Sequence, residues 1–200
     1  MPDRHRTCRN ECATELTSHE ARTLDLPLNR LPAFDPDSGT LNAVIETPKG
    51  HRNKYKFDEE RGLFLLDGVL PAGAVFPFDF GFVPSTIGGD GDPLDVLVLM
   101  DEPAFTGCLV PSNPIGVIEA EQTEDGETSR NDRLIAVAAK SRNHREIKAL
   151  DQIAENLVRE IEHFFVSYNE VKGKRFKPLS WSGPDRARQL VEQGQARRGR

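Results

Sequence analysis

Residues 88–98 are the most informative stretch of this 200-residue chain. They read Gly88-Gly89-Asp90-Gly91-Asp92-Pro93-Leu94-Asp95-Val96-Leu97-Val98. The glycines on either side of Asp90 allow a tight backbone turn, and Pro93 fixes one φ angle. Asp95 begins an apolar run that is typical of a buried strand. The sequence therefore predicts a stiff acidic loop, anchored on a core strand, in which three aspartate side chains can converge.

Three converging carboxylates form a site for a hard cation. Mg²⁺ fits best, because it binds oxygen ligands and keeps waters and substrate phosphates in its coordination shell. An EF-hand calcium loop is excluded, since it needs glycine at its sixth position, where this loop has Asp95. The alternative is an Asx-rich turn whose aspartates accept bonds from backbone amides. We predict that Asp90, Asp92 and Asp95 are metal ligands.

The charges are strongly segregated along the chain. Residues 62–129 contain no lysine or arginine but twelve acidic residues, so this segment carries −12 while the remainder carries +6. Carboxylates packed into one fold repel one another and are tolerated on an open surface or around a cation. Because the segment is also rich in apolar residues, several of these acids must flank the core, which favours cation binding over a solvated acidic face.

The composition excludes several classes of protein. No stretch approaches the roughly 20 apolar residues of a membrane helix, and the N-terminus lacks the apolar run of a signal peptide. Three cysteines form no paired framework, which indicates a reducing cytoplasm. With a net charge of −6, the chain is a poor general nucleic-acid binder. We expect a cytoplasmic protein with neither a membrane nor a nucleic acid as partner.

Short strand-like runs come first along the chain, and helical patterns follow. The strand-like runs cover residues 41–47, 54–57, 63–66, 75–83, 94–100, 107–121 and 133–139. Short strands at turn-rich intervals favour a closed antiparallel sheet in an α+β domain. Apolar residues then recur every three or four positions up to Tyr168, which predicts a helix capped by Asp151, and a weaker helix follows from Pro184.

The length is that of one domain with tails. We expect a partly ordered N-terminal arm at residues 1–35 and a main domain at residues 36–183. A C-terminal helix and basic tail occupy residues 184–200, and the tail is expected to be disordered from Gly194 onward.

The acidic loop, D-G-D-P-L-D-V-L-V, resembles the metal-binding signature of the soluble family I inorganic pyrophosphatases. The resemblance spans residues 41–181 in the same order as in the family. Its other motifs are Ile45-Glu46-Thr47-Pro48 with Lys54-Tyr55, the FPFDFGF segment at 76–82, Asn131-Asp132-Arg133 with the strand after it, His163-Phe164-Phe165, Tyr168, Lys172-Gly173-Lys174 and Trp181.

The resemblance implies a five-stranded OB-like antiparallel β-barrel with flanking C-terminal helices, in the α+β class. It also implies a homo-oligomer that hydrolyses pyrophosphate to two phosphates with several Mg²⁺ ions, for which Mn²⁺ can substitute. The implied metal ligands are Asp90, Asp92, Asp95, Glu46, Asn131 or its neighbour Asp132, and Glu124 or its neighbour Asp125. The implied substrate-binding residues are Lys54, Arg133, Tyr168 and Lys174. Of these residues, Asp92, Lys54 and Tyr168 are the expected catalytic residues, and Asp92 helps to deprotonate the attacking water.

Five positions depart from the family pattern. Lys56, Gly68, Phe80, Asn131 and Asn169 stand where the family has glutamate, arginine, tyrosine, aspartate and lysine. Because neighbouring side chains of a strand point to opposite faces, Asp132 cannot replace Asn131 without a bulge. Lys56 is a further candidate for substrate binding, in place of the arginine lost at Gly68. The sequence thus predicts a divergent member of the family. Its inner metal site, Asp90, Asp92 and Asp95, is kept, and its phosphate clamp, the set of side chains that bind the substrate phosphates, is altered.

Two alternative functions follow from the altered clamp. The first is hydrolysis of another phosphoanhydride, such as a nucleotide or polyphosphate. The second is a non-catalytic protein that binds phosphate or metal. An OB-type nucleic-acid module is disfavoured by the long segment without basic residues.

Overall fold

The computed structural model describes residues 28–199, in which nine strands, two α-helices and two 3₁₀ helices form the fold. The strands are β1 (Leu41–Thr47), β2 (Asn53–Asp58), β3 (Leu63–Val69), β4 (Asp79–Phe82), β5 (Asp95–Leu99), β6 (Leu109–Glu124), β7 (Glu127–Arg130), β8 (Arg133–Ala138) and β9 (Arg175–Ser182). The helices are α1 (Glu155–Val171) and α2 (Pro184–Arg198). Most of the predicted N-terminal arm lies outside the described residues, and its end forms a 3₁₀ helix at Leu28–Arg30.

Five strands pair into a closed ring. Strand β1 pairs with β4 and β6, β4 with β5, β5 with β8, and β8 with β6. The predicted five-stranded OB-like α+β fold is confirmed, but the expectation of purely antiparallel pairing is wrong for β5 and β8, which run parallel. The reason is topological, because strand direction cannot alternate all the way around a ring with an odd number of members.

Strand β6, with 16 residues, is the longest and extends beyond the ring. Its second half pairs with β7 and β9, while β2 and β3 form a separate hairpin. The sequence did not reveal β7, since its four residues, ETSR, contain no apolar side chain.

The ring strands are buried on both faces, which explains their continuous apolar runs. On β5, Leu97 and Leu99 belong to one core cluster with Phe165 of α1. The alternate residues Val96 and Val98 belong to a second cluster with residues of α2. The two helices therefore cover opposite sides of the sheet.

Both helices differ from the sequence prediction at one end. The expected cap, Asp151, lies in a 3₁₀ helix at Leu150–Gln152, and the N-cap of α1 is Ala154. The expected disorder from Gly194 is wrong, because α2 continues to Arg198 and the carbonyl of Gly194 accepts a hydrogen bond from the Ile87 amide at 3.0 Å. Neither described helix combines the length and the apolar character needed to cross a bilayer.

Candidate active site

One cavity, of about 540 Å³, collects charged side chains from five strands, from α2 and from the loops between elements. Its acidic lining residues are Glu46, Glu59, Asp67, Asp90, Asp92 and Asp95. Its basic lining residues are Lys54, Lys56, Arg133, Lys172, Lys174 and Arg198. Acidic residues from the segment without lysine or arginine thus lie close to basic residues from outside it. Charges that are separated along the sequence are brought together in the fold.

The acidic loop is built as its glycines predict. The Gly88 amide donates to the carbonyl of Asp92 at 2.7 Å, and the Asp92 amide donates to Asp90 Oδ1 at 3.2 Å. Gly89 packs so closely on Arg130 that a Cβ there would lie 2.7 Å from the Arg130 carbonyl oxygen. These contacts hold the backbone in a fixed path, and the loop brings all three predicted aspartates to the cavity.

Arg133 occupies a buried position below this loop. Its guanidinium donates to Asp95, which lies directly opposite on β5, and to the side-chain oxygen of Asn131. The guanidinium also lies 5.0 Å and 5.3 Å from the ring centroids of Phe165 and Phe176. Only 4% of Arg133 is exposed, so it is a fixed positive charge on the floor of the cavity.

Lys54 and Glu46 form a second buried pair. Lys54 Nζ lies 2.7 Å from Glu46 Oε2 and 4.8 Å from the centroid of the Phe80 ring. The other carboxylate oxygen of Glu46 accepts the Phe57 amide at 2.8 Å. Burial raises the pKa of Glu46, although Lys54 opposes the shift.

Lys56 and Asp92 form an exposed pair across the cavity mouth. Lys56 Nζ donates to Asp92 Oδ2 at 3.0 Å, and the two side chains are 52% and 61% exposed. Exposed pairs of this kind contribute little to folding. Both groups are therefore available for ligands at small cost in stability.

Tyr168 and Lys172 form the wall opposite the acidic loop. They are one turn apart at the end of α1, so their side chains share a face. Lys172 Nζ lies 3.1 Å from Asp67 Oδ2 and 4.9 Å from the centroid of the Tyr168 ring. Burial lowers the pKa of Lys172, but the contacts with Tyr168 and Asp67 outweigh it, so the net shift is upward and the ammonium group is retained.

The carboxylates of the acidic loop repel one another. Burial, followed by the charge of Asp95, raises the pKa of Asp90 to about 6. Burial also raises the pKa of Asp95, although Arg133 opposes the shift. A divalent cation would relieve this repulsion, and the donor set of carboxylate and amide oxygens suits a hard ion. Within residues 28–199 no group of three His, Cys, Asp or Glu side chains is already arranged to hold a metal ion. Instead, Lys56 donates a hydrogen bond to Asp92, and Arg133 donates one to Asp95.

Two predicted metal ligands lie elsewhere. Asp132 accepts hydrogen bonds from the Ala120 amide at 2.9 Å and from Arg130 at 2.7 Å, while its neighbour Asn131 lines the cavity. Both residues lie just before β8, and the contacts of Asp132 with Ala120 and Arg130 keep its carboxylate out of the cavity lining. Glu124 does not line the cavity, but it forms an ion pair of 2.6 Å with Lys174, which does line it. Lys174, expected to bind substrate, is thus paired with Glu124, expected to bind metal.

Sequence reasoning did not assign five charged or polar cavity residues to the site. These are Glu59, Asp67, Gln122, Lys172 and Arg198. Lys172 could have been found, because it follows Tyr168 by one helical turn. Gln122 could not have been found from the sequence. It lies beside Asn131, whose Nδ2 donates to Gln122 Oε1 at 3.0 Å, and this placement depends on the unpredicted β6–β7 hairpin. Arg198 was assigned to a disordered tail, yet it pairs with Glu59 at 3.0 Å.

The placement of Asn131 and Asp132 yields a test of which residue faces bound ions. Asn131→Asp adds a carboxylate to the cavity, and we expect it to tighten Mn²⁺ binding several-fold, because ligand charge strengthens binding of hard cations. Asp132→Asn, as the matched change on the next residue, is expected to leave Mn²⁺ binding unchanged while lowering the free energy of unfolding by about 1–2 kcal/mol through its buried hydrogen bonds. Titration calorimetry and denaturant unfolding measure the two effects. Weaker Mn²⁺ binding in Asp132→Asn alone would contradict this placement.

Comparison with known proteins identifies the family. The model of the inorganic pyrophosphatase family matches residues 43–198. The inorganic pyrophosphatase of Synechocystis sp. is 38% identical over 168 residues, which cover 84% of this chain and 96% of that protein. The Nostoc sp. protein of the same name is 39% identical over 168 residues, with the same coverage. The crystal structure of the Thermus thermophilus inorganic pyrophosphatase matches with a TM-score of 0.79 at 34% identity, covering 88% of this chain and 100% of that one. The chain belongs to the inorganic pyrophosphatase family.

Proposed function

We propose that this protein hydrolyses inorganic pyrophosphate to two phosphates in a Mg²⁺-dependent reaction. The observation that carries the proposal is the composition of the 540 Å³ cavity, where Asp90, Asp92 and Asp95 face Lys54 and Tyr168. Membership of the family supports the same reaction. Hydrolysis forms a bond from a water oxygen to one phosphorus, breaks the bond from that phosphorus to the bridging oxygen, and releases the second phosphate.

The basic side chains of the cavity bind the substrate. Pyrophosphate is highly anionic, so positioning and charge stabilisation make up most of the catalysis of its hydrolysis. Lys54 and Arg133 are buried and held by fixed contacts, which favours them as rigid phosphate contacts. Lys56, which is half-exposed at the cavity mouth, is a further phosphate contact, and the Tyr168 hydroxyl donates to a phosphate oxygen. Lys174 can bind a phosphate oxygen once its ion pair with Glu124 is broken.

The aspartates hold the cations and the water. Asp90, Asp92 and Asp95 are the proposed ligands, with Glu46 and the amide oxygen of Asn131 completing the oxygen donors on this side of the cavity. Bound Mg²⁺ supplies charge neutralisation and lowers the pKa of coordinated water. Asp92, whose side chain is 61% exposed, accepts the proton of the attacking water. Asp132 is left out, because its contact with the Ala120 amide holds it away from the cavity lining. Glu124 is left out, because it is not a lining residue and its carboxylate pairs with Lys174.

The test is phosphate release from pyrophosphate at millimolar Mg²⁺. We expect turnover that stops with a chelator and returns when Mg²⁺ or Mn²⁺ is restored. Absence of phosphate release from the correctly folded protein over a range of Mg²⁺ concentrations would overturn the proposal and favour a binding protein.

We further propose that the protein is a homo-oligomer in the cytoplasm. Large apolar side chains on one hairpin and a nearby loop support association, since Leu63, Leu66 and Phe105 are 60%, 58% and 70% exposed. Surfaces of this kind mark protein–protein contacts. Light scattering on the purified protein measures the subunit number, and a monomer at micromolar concentration would contradict the proposal.

A further inference from the structure

A second cavity, of about 170 Å³, adjoins the first. The two share Lys54, Tyr168 and Lys172 as lining residues. The rest of the second cavity is mainly apolar. Its walls are the end of β3 with the segment after it, and α1; the apolar lining residues are Val69, Leu70, Pro71, Ala74, Phe164 and Val171. Inorganic pyrophosphate has no group that such walls would stabilise, so the proposed reaction leaves this cavity unexplained.

Gly68 leaves space open in this second cavity. It lies opposite Lys54 in the β2–β3 hairpin, where the register shifts by one residue. Its φ angle lies outside the left-handed region, and a Cβ built on it would meet no atom within 4 Å. Neither backbone conformation nor packing therefore requires glycine here. Because Gly68 lines the cavity, we expect a larger side chain at this position to reduce its volume.

The shape and chemistry of the two cavities define a matching ligand. Charged groups occur only at the shared boundary, at Lys54 and Lys172, so the ligand has an anionic end in the first cavity and an apolar group in the second. An apolar cavity of about 150 Å³ holds benzene, so 170 Å³ suits a group of about five to seven carbons. A nucleoside fits poorly, because apolar walls leave its hydroxyl and base groups without hydrogen-bond partners.

We propose that the protein also binds and hydrolyses diphosphate monoesters that carry a compact alkyl, alkenyl or aryl group. This inference rests on the proposed function, since the same aspartates act on the terminal phosphate. The ester-bearing phosphate lies at Lys54, Tyr168 and Lys172, because only these residues line both cavities. Water oxygen bonds to the terminal phosphorus, the bond from that phosphorus to the bridging oxygen breaks, and the organic monophosphate leaves with the bridging oxygen while phosphate is the second product.

The test compares binding of two non-hydrolysable probes, methylenediphosphonate and its 3-methylbutyl monoester, by calorimetry in the presence of Mg²⁺. We expect the ester to bind about tenfold tighter, because burial of a few methylene groups is sufficient for that ratio. Ser167→Leu fills the second cavity from α1, outside the residues assigned to catalysis, and is expected to bring the ratio close to one; Ser167→Ala is the matched control that keeps it. Gly68→Val fills the cavity from the opposite wall and is expected to have the same effect.

Hydrolysis assays separate this inference from the proposed function. The wild type is expected to release phosphate from both pyrophosphate and 3-methylbutyl diphosphate, and Ser167→Leu from pyrophosphate alone. An ester that binds no tighter than methylenediphosphonate, or whose advantage persists in both filled variants, would overturn the inference while pyrophosphate hydrolysis stands. Absence of pyrophosphate hydrolysis in the wild type would instead overturn the proposed function. The ratio of the affinities for the ester and for methylenediphosphonate would still decide whether the second cavity binds an apolar group.

Discussion

Asp92→Asn is expected to reduce the kcat of pyrophosphate hydrolysis by about 10³-fold, because it removes the proposed base and one metal ligand together. The substitution keeps the shape of the side chain and leaves the core untouched, since Asp92 is 61% exposed and contacts Lys56, which is 52% exposed. The free energy of unfolding should therefore change by no more than about 0.5 kcal/mol. Phosphate release and denaturant unfolding on the same preparation separate the two effects.

Asp37→Asn provides a matched control for this variant. Asp37 lies in an exposed turn before β1, outside the cavity lining, so the same chemical change there should leave kcat unaltered. A tenfold or smaller loss in Asp92→Asn would show that Asp92 is neither the base nor an essential ligand. Asp90 or Asp95 would then be the next position to test.

Arg133→Met is expected to lower the free energy of unfolding of the metal-free protein by about 3 kcal/mol. Methionine preserves apolar packing against Phe165 and Phe176, but Asp95 loses the guanidinium that compensates its charge, and removal of one partner of a buried pair is strongly destabilising. The Asp95 side chain is 24% exposed. The expected loss of stability is therefore at the lower end of the roughly 3–5 kcal/mol that breaking a buried ion pair usually costs. Denaturant unfolding with and without Mg²⁺ measures it, and Mg²⁺ should restore much of the stability, because a cation bound at Asp95 replaces the missing charge.

Two further variants test the cause of that loss. Arg133→Lys keeps a positive charge and should lose less stability, although it lacks the planar fork that contacts Asp95 and Asn131 together. Adding Asp95→Asn to Arg133→Met removes the uncompensated carboxylate and should recover most of the difference. If the double variant is as unstable as Arg133→Met alone, the loss comes from packing between the two phenylalanine rings and not from charge.

The inner part of the site was accessible to sequence reasoning because it is local. Asp90, Asp92 and Asp95 lie within six consecutive residues, and glycine, proline and strand patterns there have direct conformational meaning. The sequence left Asn131 and Asp132 as alternatives, and in the structure only Asn131 lines the cavity, because Asp132 is held by the Ala120 amide and Arg130. The ring of five strands followed from the resemblance together with the order of the strand-like runs.

The outer part of the site depends on contacts between distant segments. Gln122 reaches the cavity through a hairpin whose second strand has no apolar signal. Arg198 reaches it because α2 extends over a stretch whose polar and glycine-rich composition predicted disorder. The pairing of Glu124 with Lys174 likewise depends on a segment 50 residues away. Tertiary pairing determined these positions, and local pattern carries no information about it.

The parallel pair in the ring determines where charge can be concentrated. Strands β5 and β8 both begin at the cavity, with Asp95 opposite Arg133. In an antiparallel pair of the same length, these two first residues would be about 13 Å apart, given a rise of about 3.3 Å per residue. An engineered ring with a sixth strand could alternate direction throughout, and it would separate the carboxylate from the guanidinium. The parallel orientation of β5 and β8 is thus what brings these two charges together, and redesigns of the scaffold that make this pair antiparallel should lose the site even when every side chain is kept.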